Sequence, residues 1–301
     1  MNQNQFEETF PSLLYVKDKI NELKKLDLRA IEYSILKKRV NDCFFNIPIV
    51  PGTIIEGARL YRARTFPYNG IPYSKISEIS LPPKNAVSTF GRANKPFYPL
   101  FYCASNIELA LNEVCRNANN PENTYIVKWI VVGEWLVKKG QNLSVSNLCY
   151  NKNALDIRDD LKKSKYISQK ILHNIPKENP PLSDNTINVT TALLEFFSDE
   201  FAKEIIITPD DYKLSVVYTD LLFDLSRGLF DGVNYPSVAS KFKGDNIVLS
   251  QKCLENKLEL INAFIVTVGF TKTDPFMNYA ILEKSKSFRG DEITWEKIFN
   301  R

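Results

Sequence analysis

Apolar residues recur at helical spacing near the start of the chain, first at Leu13, Val16, Ile20 and Leu23 and then at Leu28, Ile31 and Ile35. This three-and-four repeat predicts two helices in the first fifty residues, ended by Pro48 and the Pro51-Gly52 pair. From Ile54 the pattern shortens into extended runs. Residues 55–63 (IEGARLYRA) and 100–104 are rich in aromatic and aliphatic side chains and predict strands. Ser105 and Glu108 then fit a capping box, and Ile107, Ala110, Leu111 and Val114 trace the apolar face of the helix that follows. Residues 124–132 (TYIVKWIVV) form a nearly continuous apolar run between Pro121 and Gly133. A strand buried on both faces accounts for it, although periodicity alone does not separate that from a short buried helix.

Residues from about 140 to 207 are lysine- and asparagine-rich and then helical, with Pro176, Pro180 and Pro181 marking a loop between helices near 154–173 and 190–203. Thr208-Pro209-Asp210-Asp211 offers a cap, a proline in the first turn and early acidic residues, opening a helix toward Leu225. Residues 232–238, 246–250 and 258–268 predict further strands. Helices and strands do not alternate as regular βαβ units, which implies an α+β fold. The expected organisation is a helical N-terminal extension over 1–52 packed on a main domain over 53–275. That domain carries a helical insertion at about 140–207, and residues 276–301 are a C-terminal tail.

Composition narrows the chemistry. The net charge of +4 arises from 39 basic and 35 acidic residues scattered along the chain without a long basic run, which argues against a nucleic-acid surface. Five cysteines, odd in number and without a Cys-x-x-Cys pair, suggest reduced thiols in a cytoplasm rather than disulfides or zinc. Neither an export signal nor an uncharged run of transmembrane length is found, so no membrane insertion is expected. His173 is the only histidine, which removes His-x-x-x-His metal sites; it lies among lysines and asparagines and reads as a surface residue. The glycines form no phosphate-binding loop.

Three segments carry a more specific signal. They are Leu60-Tyr61-Arg62; then Gly91-Arg92-Ala93-Asn94 running through Phe101-Tyr102-Cys103-Ala104-Ser105 to Glu113-Val114; and then Tyr235-Pro236-Ser237-Val238 with Asn246-Ile247-Val248-Leu249. In order and rough spacing they resemble the Arg, Gly-Arg-x-Asn, Tyr, Glu and Tyr-Pro-Ser blocks of the RES-domain family of bacterial toxins, from about residue 56 to 268. No single block is specific; the ordered set is. The resemblance implies a mixed β core like that of ADP-ribosyltransferase toxins, and NAD⁺ as a substrate rather than a resident cofactor. It also implies phosphorolysis, hydrolysis or ADP-ribosyl transfer as the reaction, and an antitoxin protein from a neighbouring gene as partner. The positions it carries over are Arg62, Arg92, Tyr102, Glu113 and Ser237.

Physical chemistry gives each a role and a rival role. A guanidinium fork matches two oxygens of a pyrophosphate, so Arg62 or Arg92, with Arg64 as a further contact, would clamp it; otherwise they are strand and turn residues. Glu113, at the margin of a helical apolar face, would stabilise the oxocarbenium-like ribosyl group left when nicotinamide departs; otherwise it is a solvated helical glutamate. Tyr102 would stack on a flat ring or pack in the core. Ser237 would donate to a phosphate or ribose oxygen or simply shape a turn, and Asn94 and Asn246 are weaker candidates for polar contacts. The first fifty residues, the 140–207 stretch and the prolines Pro96 and Pro99 depart from the compact toxin form and bear on substrate access and acceptor. Two other outcomes stay open: a transferase acting on a macromolecule, and an inactive RES-like module that only binds a partner. A ribonuclease fits less well, without basic clusters or a His-based acid and base pair.

Overall fold

A computed structural model of the chain describes residues 10–44, 47–66, 72–115, 126–173, 183–270 and 278–298. It is a mixed fold of helices around a ten-stranded sheet. The strands are β1 (Pro51–Ile54), β2 (Arg59–Thr65), β3 (Phe101–Ala104), β4 (Ile126–Val137), β5 (Leu143–Asn147), β6 (Gly232–Pro236), β7 (Asp245–Leu249), β8 (Leu258–Phe270), β9 (Asn278–Arg289) and β10 (Glu292–Lys297), ordered β1-β5-β6-β7-β3-β2-β4-β8-β9-β10. The pair β5–β6 is parallel and the other neighbours are antiparallel. One joint is weak: β2 and β3 share the single registered pair Tyr61↔Ala104 and then part.

The helices are α1 (Leu13–Lys24), α2 (Tyr33–Phe44), α3 (Ile76–Ile79), α4 (Ile107–Cys115), α5 (Lys152–Ile157), α6 (Asp159–His173), α7 (Asp184–Phe201), α8 (Lys213–Ser226) and α9 (Gln251–Lys257). Side-chain caps explain several starts: Ser12 Oγ accepts from the Tyr15 amide, Asn151 Oδ1 from Ala154 and Ser183 Oγ from Thr186. Helix α1 buries the expected Val16, Ile20 and Leu23. Its successor departs from expectation. Helix α2 begins at Tyr33 and buries Leu36, Val40, Cys43 and Phe44, while Ile35 is exposed. Leu28 and Ile31 belong to the preceding connection, where their carbonyls accept from the buried Lys213 Nζ at 2.7 and 2.9 Å. These N-terminal helices share one core with α7, α8 and strands β6 and β7, through residues such as Leu36, Phe197, Tyr218 and Val248. On the other side of the sheet Leu60, Phe101, Trp135 and Leu254 form a second core under α9.

Several boundaries differ from the sequence reading for local reasons. β2 starts at Arg59 because Gly57, at φ 77°, turns the chain just before it. Gly133 does not end β4, which stays paired with β8 to Val137 across a register shift between Glu134 and Trp135. Ile130, Val131 and Val132 are buried as a doubly covered strand requires, but Val127 and Trp129 nearer its start are exposed. The Lys- and Asn-rich stretch contains β5, a strand paired on both sides. The expected tail contains both β9 and β10, which extend the sheet beyond β8. Pro121, Thr124, Pro176, Pro180, Pro181 and the side chain of His173 lie outside the described residues.

Candidate functional site

Where β2 and β3 part, the sheet opens into a cavity of about 200 Å³, roofed by α4 and lined by Tyr61, Arg62, Tyr102, Glu113, Tyr235 and Asn246 among others. Helix α4 is set over this opening by Asn106, whose Oδ1 accepts from the Leu109 amide at 2.9 Å. The cap is therefore Asn106, one residue later than the Ser105 expected from the capping-box spacing. Leu109, Ala110 and Leu111 are buried against the sheet. Glu113 stays exposed at the side of that apolar stripe, as its margin position dictates.

The Glu113 carboxylate is held from below. Ser237 Oγ and Asn246 Nδ2 each donate to Glu113 Oε1 at 2.7 Å. Both donors are buried, Ser237 completely, so their geometry is fixed by packing rather than by water. Ser237 gains its position from a tight loop. Its amide donates to Gly244 O at 2.7 Å, its carbonyl accepts from the Phe242 amide at 2.8 Å, and its Oγ accepts from the Ser240 amide at 3.3 Å. Lys241 and Phe242 pass through left-handed backbone at φ 53° and 64° to close that loop, a conformation that costs a non-glycine residue about 1 kcal/mol. A Cβ at Gly244 would fall 2.2 Å from the Leu109 side chain, so the loop lies directly on α4.

Arg62 also belongs to the cavity wall. Its Nη1 donates to the Tyr102 carbonyl at 2.9 Å, across the gap between β2 and β3, and its guanidinium carbon stands 5.4 Å from the Phe101 ring centre. Burial lowers its pKa to about 10, which leaves it charged at neutral pH. Its Nε is buried without a hydrogen-bond partner among the described residues. The Tyr102 hydroxyl donates to Asn94 Oδ1 at 2.8 Å and accepts from the Ala93 amide at 2.9 Å, so its ring is fixed at the cavity edge. Burial raises the Tyr102 and Tyr235 hydroxyl pKa values, keeping both neutral.

The remaining expected residues stand elsewhere. Arg92 does not line the cavity: Nη1 donates to Phe201 O, Nη2 to Lys203 O at 3.2 Å, and the guanidinium lies 5.1 Å from the Tyr212 ring centre. It is nine-tenths buried, capping the end of α7 where carbonyls lack helical partners. A paired Arg62–Arg92 clamp is thus not formed. Arg64 donates to Glu78 O and lies over the Tyr73 ring, also outside the cavity. Asn94 stands behind Tyr102 and orders the loop after Gly91, where an added Cβ would meet Asn94 Oδ1 at 2.3 Å. Of the expected set, Arg62, Tyr102, Glu113 and Asn246 line one cavity, with Ser237 bonded to Glu113 beneath it.

Sequence reading assigned no role to Tyr61, Tyr235 or Glu134. Tyr61 shares a strand face with Arg59, and both bond to the buried Glu134: the Arg59 Nη1 and Tyr61 hydroxyl donate to Oε1 at 2.8 and 2.9 Å, and Asn262 Nδ2 to Oε2 at 2.6 Å. Burial alone would raise the Glu134 pKa, but the hydrogen bonds from Asn262, Arg59 and Tyr61 outweigh it and lower the pKa. Tyr61 stands within the Leu60-Tyr61-Arg62 block, and the period-two alternation of β2 puts it on the face of Arg59; Glu134 and Asn262 are joined to it only by strand register. Among the described residues no helix is long and apolar enough to cross a membrane. Compared with known proteins, the chain matches no protein-family model and no curated sequence.

Proposed function

We propose that this protein is an NAD⁺-consuming enzyme that cleaves the bond between nicotinamide and ribose and passes the ADP-ribosyl group to water or phosphate. The observation that carries the reading is the Glu113 carboxylate, pinned through Oε1 by two buried donors at the wall of a cavity that also contains Arg62. A carboxylate whose second oxygen is left to the cavity can accept from a ribose hydroxyl and oppose the positive charge that develops at the anomeric carbon. Nicotinamide leaves as a neutral molecule, so no acid is needed to protonate it. The single His173, far from every matching motif in sequence, is consistent with that economy. The charged Arg62 guanidinium in the cavity wall would attract a pyrophosphate, and the fixed, neutral Tyr102 ring offers a face for a flat cationic heterocycle.

With water the products are nicotinamide, ADP-ribose and a proton; with phosphate they are nicotinamide and the 1″-phosphate of ADP-ribose. The RES-like order of motifs further suggests a neutralising partner protein. Incubating purified protein with NAD⁺, with and without phosphate, and identifying products tests the reading. Free nicotinamide with one of these two products is expected. Intact NAD⁺ contradicts it, and label from NAD⁺ on a macromolecule redirects it to transfer.

A further inference from the structure

Both side chains that hold Glu113 sit at the ends of one loop, Ser237 entering it and Asn246 leaving it. The helical segment that departs from the compact toxin pattern grips this loop at each end. On the Ser237 side, Val238 and Phe242 are buried in a small core with Tyr150, Ala154, Leu161 and Leu194. This packing holds the left-handed turn at Lys241 and Phe242 in place. On the Asn246 side the grip is ionic. Arg158, at the break between α5 and α6, donates from Nη1 and Nη2 to the two carboxylate oxygens of Asp245 at 2.9 and 3.1 Å. Arg158 also bonds to Asp160 through Nε at 2.8 Å, and its side chain is only 13% exposed. Asp245 is the immediate neighbour of Asn246, and its carbonyl accepts from the Ser105 amide just before α4.

We infer that Arg158 is a positioning residue for the site: its fork on Asp245 fixes the start of β7 so that Asn246 donates to Glu113. Arg158 touches neither the cavity nor Glu113; it acts through Asp245, whose neighbour Asn246 bonds Glu113. A planar two-point fork fixes direction as well as distance, which a lysine ammonium on a flexible stem cannot do. A surface ion pair without this role would be worth little; here both partners are largely buried and bonded at two points. The helical segment therefore serves the chemistry of the cavity from outside it.

This rests on the proposed NAD⁺ cleavage, and a double-mutant cycle separates the two. Nicotinamide release is measured for the unaltered protein, Arg158→Gln, Arg158→Lys, Asn246→Ala and the double variant Arg158→Gln with Asn246→Ala. Arg158→Gln is expected to lower kcat about 10-fold with KM changed less than about 3-fold, and Arg158→Lys is expected not to restore it. Because the effect runs through Asn246, the double variant should fall no further than the weaker single variant, within about 2-fold. Losses that multiply in the double variant, or an unchanged kcat in Arg158→Gln, overturn the role of Arg158 while leaving the enzyme assignment intact. If the unaltered protein releases no nicotinamide, the enzyme assignment fails and this role with it. Should Arg158→Gln not fold, as thermal melting would reveal, Asp245→Asn breaks the same fork and the same pattern is expected.

Discussion

Two hydrogen bonds converge on Glu113 Oε1, from Ser237 and Asn246, and this asymmetry leaves Oε2 without either donor. Arg92 shows the opposite economy, since its fork is used on the carbonyls of Phe201 and Lys203. Arg92→Gln should therefore act on stability: a loss of about 1–3 kcal/mol in denaturant unfolding, with KM for NAD⁺ unchanged within about 2-fold. A large rise in KM at unchanged stability would instead return Arg92 to the substrate. The two arginines were indistinguishable in the sequence because each follows a plausible motif. What separates them is a pair of carbonyls more than a hundred positions away. The order of motifs singled out Glu113 and Ser237, and Asn246 only as a weaker polar contact, whereas their mutual hydrogen bonds were not legible.

At the scale of elements, the site exists because β2 and β3 separate after one registered pair while β2 stays zipped to β4 along its whole length. Glu134 helps hold that zipper, taking donors from β2 and β8 at once. Its folded pKa is lowered, so its ionised form contributes stability above the ordinary glutamate value of about 4.5, and that contribution is lost as pH falls through the lower folded value. Glu134→Gln should cost about 1–3 kcal/mol at pH 7, and the gap from the unaltered protein should narrow on acidification below about pH 4.5. Unfolding midpoints across that range check the sign; a gap that widens in acid would be the wrong one. The strands and helices themselves were largely readable from periodicity, since burial on one face leaves its period in the sequence. Register was not, which is why Glu134 and Asn262 escaped notice.

At the scale of the whole molecule, the largest surprise is the C-terminal end. Residues 278–297 carry many charged and polar side chains and lack the apolar density of a core strand, so they read as a tail; they pair instead as β9 and β10. Every side chain of β9 is exposed or half-buried, which hides its role from composition. Ile293 is buried, and the Trp295 indole donates to Tyr73 O at 3.0 Å. Truncation after residue 277 should therefore destabilise the protein and expose β8 as an edge prone to association, visible as a lowered melting temperature and aggregation on sizing. An unchanged, monodisperse protein would return these strands to the status of a tail. The chemistry, by contrast, stands or falls on one carboxylate. Its decisive measurement is the time course of nicotinamide release from NAD⁺ by the purified protein and by Glu113→Gln, with folding of both verified by thermal melting. Steady release by the unaltered protein, reduced at least about 100-fold in the folded variant, is the predicted result; equal release by both, or none by either, would contradict it.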